Sequence, residues 1–195
     1  MSSDHRNGST RTRFPPATTT EHCLSAFPHS PPVIGIDDPP AALLTPLLEA
    51  LAQRQLRCGV IQCTDANYDP DIPGKDSYEL RKAGVERLLL AAEQKSALIH
   101  EHPDDPPDLA RCLALLALEE LDLVLVTDSP PDWLPTHCRI RAHPPGVAET
   151  PRYLAYLADR ALDTPAPVLS PHDPEKLAAF LHDTVINPVA GDDSP

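Results

Sequence analysis

Leu121-Asp122-Leu123-Val124-Leu125-Val126 decides how the rest of the chain folds. One charge stands near its start, and the four residues that follow are all apolar. A strand that is apolar on successive residues buries both faces, the habit of parallel sheets covered by helices on each side. Working outward, Val33-Ile34-Gly35-Ile36 is a second such run, and Leu56 to Gln62 a third. Between those two, Leu43, Leu44, Leu47, Leu48 and Leu51 form the apolar stripe of a helix running to about Arg54. Pro46 either kinks this helix or restarts it with Thr45 as cap. Short apolar strands alternating with amphipathic helices predict an α/β fold, a three-layer sandwich whose mainly parallel sheet is flanked by helices.

Further elements follow on either side of the deciding strand. Val85 to Ala91 and Ala97 to His100 read as strands, and Asp108 caps a helix through about Leu118. Cys138-Arg139-Ile140-Arg141 reads as an edge strand. A helix is expected from Thr150 to about Leu162, with Tyr153, Leu154, Leu157 and Ala161 on one face. Asp173-Pro174-Glu175 opens a last helix carrying Leu177, Phe180, Leu181 and Val185. The division expected is a polar N-terminal segment without fixed structure over 1–32, one domain over 33–163, and a linker, helix and acidic tail over 164–195.

Composition narrows the function. At a formal net charge of -13 the chain repels a nucleic-acid backbone, and no basic patch with interleaved aromatics offsets this. No apolar run is long enough to span a bilayer and no secretory signal opens the sequence, so the cytoplasm is expected. Five cysteines without a Cys-x-x-Cys pair point to free thiols in a reducing compartment.

Chemistry concentrates between Asp69 and Gly84. Asp69 and Asp71 lead into a Pro73-Gly74 turn, and a short helix follows with Lys75, Arg81 and Lys82. Asp76 with Glu79 three residues on resembles a capping box, and Gly84 ends the helix. Opposite charges at one rim suit a metal-bound phosphate ligand; a solvated turn and helix face is the alternative. His100 and His102 with Asp104 and Asp105 likewise read either as metal ligands or as a solvated strand end.

After the first strand, a phosphate loop would supply a run of amides, a lysine and a helix N-terminus. This chain instead reads Asp37-Asp38-Pro39-Pro40-Ala41-Ala42. The prolines have no N–H, and the aspartates bring the wrong charge. A helix capped by Asp38, with Pro39 at its first position, is the structural reading of the same residues.

From Val33 to about Arg141 the chain resembles the molybdopterin-guanine dinucleotide biosynthesis protein B family. Pro73-Gly74-Lys75-Asp76-Ser77-Tyr78, Arg81-Lys82-Ala83-Gly84 and the Leu121–Val126 strand carry the resemblance, and Asp69 and Asp71 match the family's alternating aspartates. It implies a P-loop NTPase-like fold, a homodimer, and a GTP-binding accessory protein acting beside the guanylyltransferase that joins GMP to molybdopterin. By the same resemblance Thr64, Lys75, Asp76, Ser77, Tyr78, Arg81 and Lys82 are the cofactor-binding candidates, with Asp69 and Asp71 for a metal. Three departures stand out. A gapless alignment puts Pro40 at the loop lysine and Ala41 and Ala42 at its hydroxyl residues. Gln62-Cys63-Thr64-Asp65-Ala66-Asn67 keeps only Thr64 of the family's Lys-His-Thr-His-His-Asp. Thr127-Asp128-Ser129 replaces a Glu-Gly tip.

The expectation is therefore an adapter of molybdenum cofactor biosynthesis without GTP hydrolysis and without catalytic residues. Molybdopterin is a candidate ligand, and a guanylyltransferase, a molybdoenzyme or its chaperone a candidate partner. The rival is an active GTPase in which Lys75, Arg81 or Lys82 replaces the loop lysine, while Asp69, Asp71 or Asp128 holds Mg²⁺. A third reading is a purely structural partner that never touches the pterin.

Overall fold

Backbone pairing runs parallel across the whole main sheet. The computed structural model describes residues 30–65, 68–102, 106–142 and 153–188. In chain order its elements are β1 (Val33–Asp37), α1 (Leu44–Gln53), β2 (Cys58–Gln62), α2 (Asp76–Lys82), β3 (Arg87–Ala91) and β4 (Ser96–His100). There follow α3 (Leu109–Ala114), β5 (Leu123–Thr127), β6 (Arg139–Ala142), β7 (Ala155–Leu157), β8 (Val168–Leu169) and α4 (Pro174–Leu181), the last continued by a π-helical turn, His182–Ile186. The main sheet has the order β2-β5-β1-β6-β7-β8, and each neighbouring pair is parallel.

Alternation along β1 and β5 divides the core into two layers. Ile34, Ile36, Leu123 and Leu125 face one side, where they meet Leu47 and Leu51 of α1 and Leu177 and Leu181 of α4. Val33, Val124 and Val126 face the other, against Leu113 of α3 and Leu134. Helices thus cover both faces, which is the three-layer sandwich expected from the apolar runs. The α4 start is also as read: the Asp173 side chain accepts from the Lys176 N–H, and Pro174 occupies the first turn, where no amide is missed. Residues after 163 build into the same core, because β8 pairs with β7 and α4 packs on α1, where Arg54 and Glu175 form an ion pair of 2.6 Å.

Several expectations are corrected. Residues 155–157 form a strand, not part of a helix: Ala155, Tyr156 and Leu157 are all buried, between β6 and β8. The helical spacing from Tyr153 to Ala161 is a coincidence of a short apolar run, the case in which periodicity cannot separate helix from strand; Thr150 lies outside the described residues. With β7 present, β6 is interior rather than an edge. β3 and β4 stand apart from the main sheet as an antiparallel hairpin. Helix α3 ends at Ala114, short of Leu118. Asp76 is the first residue of α2 rather than its cap; Lys75 holds the cap position with no side-chain bond, so no capping box forms. Cys58, Cys63 and Cys112 are free as expected, whereas Cys138 is disulfide-bonded. Among the described residues no helix is long and apolar enough to cross a membrane.

Candidate functional site

In open parallel sheets the crevice for ligands lies at the carboxyl ends of the strands, where the winding changes direction. Here the chain leaves β1 for β2, returns to β5 between them, and then crosses to β6 on the other side of β1. The carboxyl ends of β1, β5 and β6 therefore frame the crevice, and each delivers charge to it.

Gly35 and Arg139 are direct partners in the β1–β6 register. A Cβ at Gly35 would come within 3.0 Å of the Arg139 Cγ and 3.3 Å of the Leu134 Cδ1, so the missing side chain is what lets the arginine stem lie across β1. Arg139 is only 4% exposed. Its Nη1 donates to Asp37 Oδ1 at 2.7 Å, its Nε to the Leu134 carbonyl at 2.9 Å and its Nη2 to the Pro130 carbonyl at 2.5 Å. One guanidinium thus ties the end of β1 to the loop that follows β5. Charge-assisted bonds in this number offset the desolvation that burial imposes on the cation.

Asp38 and Asp128, each the first residue past its strand, lie in the left-handed region, at φ 53° and 52°. Aspartate visits this region more readily than most residues. The Asp38 N–H donates to Asp128 Oδ1 at 3.0 Å, which joins the two tips. Arg141 completes the group: it donates to the Tyr153 hydroxyl at 2.8 Å and stands 3.8 Å from Asp38. Of the amides between β1 and α1, that of Asp38 is taken by Asp128, Pro39 and Pro40 have none, and that of Leu43 closes a turn on the Pro40 carbonyl at 2.9 Å. Three carboxylates and few free donors are a poor match to the polyanion of a nucleotide.

The second charged group surrounds Arg81 on α2. Its Nη1 donates to Asp69 at 2.7 Å and lies 3.6 Å from Asp71, while its Nε donates to Glu101 at 2.6 Å. The Ser77 hydroxyl donates to Asp71 Oδ1 at 3.0 Å. Hydrogen bonds to Asp69 and Glu101 raise the Arg81 pKa, and the same bond from Arg81 holds the Asp69 carboxyl below its ordinary range. The structure therefore gathers Asp69, Asp71, Ser77 and Arg81, with Arg81 standing where a metal was expected between the two aspartates. Lys82 lies over the Tyr78 ring, 5.1 Å from its centre. Lys75 and Asp76 are exposed at the start of α2, and Thr64 is exposed just past β2.

The cations paired with the β1 tip are Arg139 and Arg141, not Lys75, Arg81 or Lys82. The buried role of Arg139 and the partnership of Glu101 with Arg81 were not foreseen. A glycine in an otherwise β-branched strand, facing a chain that returns with an arginine, is the one local signal for the first. Among the described residues no group of three or more His, Cys, Asp and Glu side chains is placed to hold a metal ion, and Asp104 and Asp105 lie outside those residues.

Comparison with known proteins bears on this geometry. The family model for molybdopterin guanine dinucleotide synthesis protein B matches residues 40–128. The chain is 35% identical over 144 residues to the molybdopterin-guanine dinucleotide biosynthesis adapter protein of Escherichia coli K12, covering 71% of this chain and 82% of that one. The adapter protein of that name from Haemophilus influenzae is 34% identical over 61 residues, or 31% of this chain and 34% of its own. Among solved structures, a molybdopterin-guanine biosynthesis protein B superposes with a TM-score of 0.58 at 19% identity, covering 78% of this chain and 98% of that one. Bacillus subtilis MobB gives 0.56 at 16%, covering 77% and 96%. At such low identity these structures establish the fold alone, a P-loop NTPase-like one, while the Escherichia coli relative, matched over most of its length, establishes kinship: the chain belongs to the molybdopterin-guanine dinucleotide synthesis protein B family.

Proposed function

We propose that this chain is an adapter in molybdenum cofactor biosynthesis, serving the formation of molybdopterin-guanine dinucleotide without hydrolysing GTP. Family membership and the adapter role in the names of its relatives support the first half. The second half rests on one observation: at the β1 tip the Asp38 amide and the Asp37 carboxylate are already engaged, by Asp128 and Arg139, and two prolines follow. A GTP–Mg²⁺ complex would meet the carboxylates of Asp37, Asp38 and Asp128 where it needs donors and positive charge.

An adapter works through surfaces, and the β3–β4 arm supplies one. Leu89, Leu90 and Leu98 on the hairpin and Leu80 on α2 are exposed. A two-stranded hairpin on its own is marginally stable in water, and covering it with the hairpin of a second copy buries those leucines. A homodimer is therefore part of the proposal. Its partners are the guanylyltransferase, or a molybdoenzyme or its chaperone, with molybdopterin as the ligand handled and the cytoplasm as the setting. Isothermal titration with GTP and Mg²⁺ tests the reading. Micromolar binding accompanied by turnover would refute it; heat of dilution alone is the expected result.

A further inference from the structure

Register divides the apolar residues of the β3–β4 arm between two sides. Leu89 and Leu98 stand opposite each other on one side, at 63% and 47% exposure, whereas Leu88 and Ile99, opposite each other on the other side, are half-buried. Pairing continues one step past β4, where the Glu101 N–H donates to the Glu86 carbonyl at 2.8 Å. Glu101 therefore shares the side of Ile99, and there Arg81 of α2 takes its carboxylate at 2.6 Å. Helix α2 thus flanks the second side and leaves Leu89 and Leu98 uncovered. Only a short joint connects helix and hairpin: Gly84, at φ 97°, and Val85, whose N–H donates to the Leu80 carbonyl at 3.4 Å. A glycine joint leaves the angle between the two elements free until side chains fix it. Arg81 does so. Its side chain is 7% exposed, and its guanidinium joins α2 to Glu101 and to the preceding loop, with Asp69 at 2.7 Å and Asp71 at 3.6 Å. Ser77, one turn earlier on α2, donates to Asp71 and ties the loop to the helix a second time.

We propose that Arg81 is a positioning residue for self-association: it holds the arm at a fixed angle to α2, so that the Leu89–Leu98 side is presented, already ordered, to the same side of a second copy. In the homodimer proposed above, on which this role depends, Arg81 acts through the arm and not by touching the partner. A two-fold axis needs a patch complementary to itself, and a flat apolar pair meets that condition. Because a two-stranded hairpin is marginal in water, an arm ordered before encounter spares association the cost of ordering it. Ionic strength then acts on association at one remove. Salt screens Arg81 from Asp69 and Glu101, whose carboxylates reach solvent. Contact between leucines alone does not weaken with salt.

Sedimentation equilibrium of the whole chain, in about 0.1 M and about 1 M sodium chloride, tests this role with the variants Arg81→Gln, Arg81→Lys and Leu98→Asp. The wild type should dimerise, and less tightly at the higher salt. Arg81→Gln should weaken the dimer by about tenfold at the lower salt and lose the salt dependence. Arg81→Lys, which keeps the charge without the planar fork, should fall between the two. Leu98→Asp should abolish association at either salt. Thermal melts confirm that the variants remain folded. A wild type that stays monomeric overturns the homodimer, and the role of Arg81 with it. A wild-type dimer that keeps its full strength in Arg81→Gln, or in Leu98→Asp, overturns the role of Arg81 while the homodimer stands.

Discussion

The six-stranded sheet and the β3–β4 arm are held together by different forces. In the sheet, β5 is buried on every residue and both of its faces are covered by helices. In the arm, four of the five residues of β3 are exposed, and the firmest contacts are the ion pairs that Arg81 makes with Asp69 and Glu101. Apolar burial is nearly insensitive to salt and pH, whereas ion pairs whose carboxylates reach solvent, as those of Asp69 and Glu101 do, respond to both. The sheet therefore sets the global stability of the chain, and the arm forms a separate, weaker unit whose apolar side remains available for association.

Experiments can break this contrast or sharpen it. The largest effect is expected at the buried charge within the sheet. Arg139→Ala leaves the largely buried Asp37 without its partner and the carbonyls of Leu134, Pro130 and Ser129 without this donor, a loss of about 3–5 kcal/mol by urea denaturation. Leu177→Ala, in the layer between α4 and the sheet, should cost about 2–5 kcal/mol by the same measurement, with an unchanged slope against urea. Arg81→Met, on α2 where it ties Glu101 to Asp69 beside the arm, should leave the global midpoint nearly where it was. Its signature is faster amide hydrogen exchange confined to β3, β4 and α2; equal loss of protection in β1 and β5 would show that arm and sheet unfold as one.

The smallest effect belongs to the charge inside the stretch that decides the fold. Asp122 receives Arg57 Nε and Nη2, each at 3.2 Å, and the Arg57 N–H at 2.8 Å. The side-chain bond chiefly, and then the backbone one, hold its carboxyl below the ordinary range. A depressed carboxylate stabilises the fold at pH values above its unfolded pKa of about 3.9, and that contribution is lost as pH falls through the lower folded value. Asp122→Asn should therefore cost roughly 0.5 kcal/mol at neutral pH, the scale of an exposed pair. It should also flatten the decline of stability below about pH 4; an undiminished decline would assign it to other carboxylates.

The parts of the fold legible in the sequence were those whose signals are local. Leu123 to Val126 and Val33 to Ile36 announce buried strands by composition, and Asp173-Pro174 announces a helix start by the chemistry of its own amides. Tyr153 to Leu157 misled because three buried residues are too few to express a period of two. The candidate site was legible only in half. The replacement of a phosphate loop by Asp37-Asp38-Pro39-Pro40 can be read from residue types, but what occupies the crevice cannot, since Arg139 lies 102 residues beyond its partner Asp37. Gly35 matters only once β1 and β6 are known to be neighbours. The bond from Arg81 to Glu101 was hidden for the same reason, because it needs the hairpin to fold back on α2.

The lock formed by Asp37 and Arg139 bears on any attempt to engineer nucleotide binding into this scaffold. Grafting a glycine-rich turn with a lysine over residues 37–42 removes the carboxylate that, among the described residues, pairs with the 4% exposed Arg139. The graft alone thus strands a cation in the interior, and an added side chain at Gly35 would collide with its stem. A working design has to change position 139 in the same step, replacing the arginine with an apolar residue of similar bulk. Single-site libraries drawn from the loop by itself will return unstable proteins before they return binders.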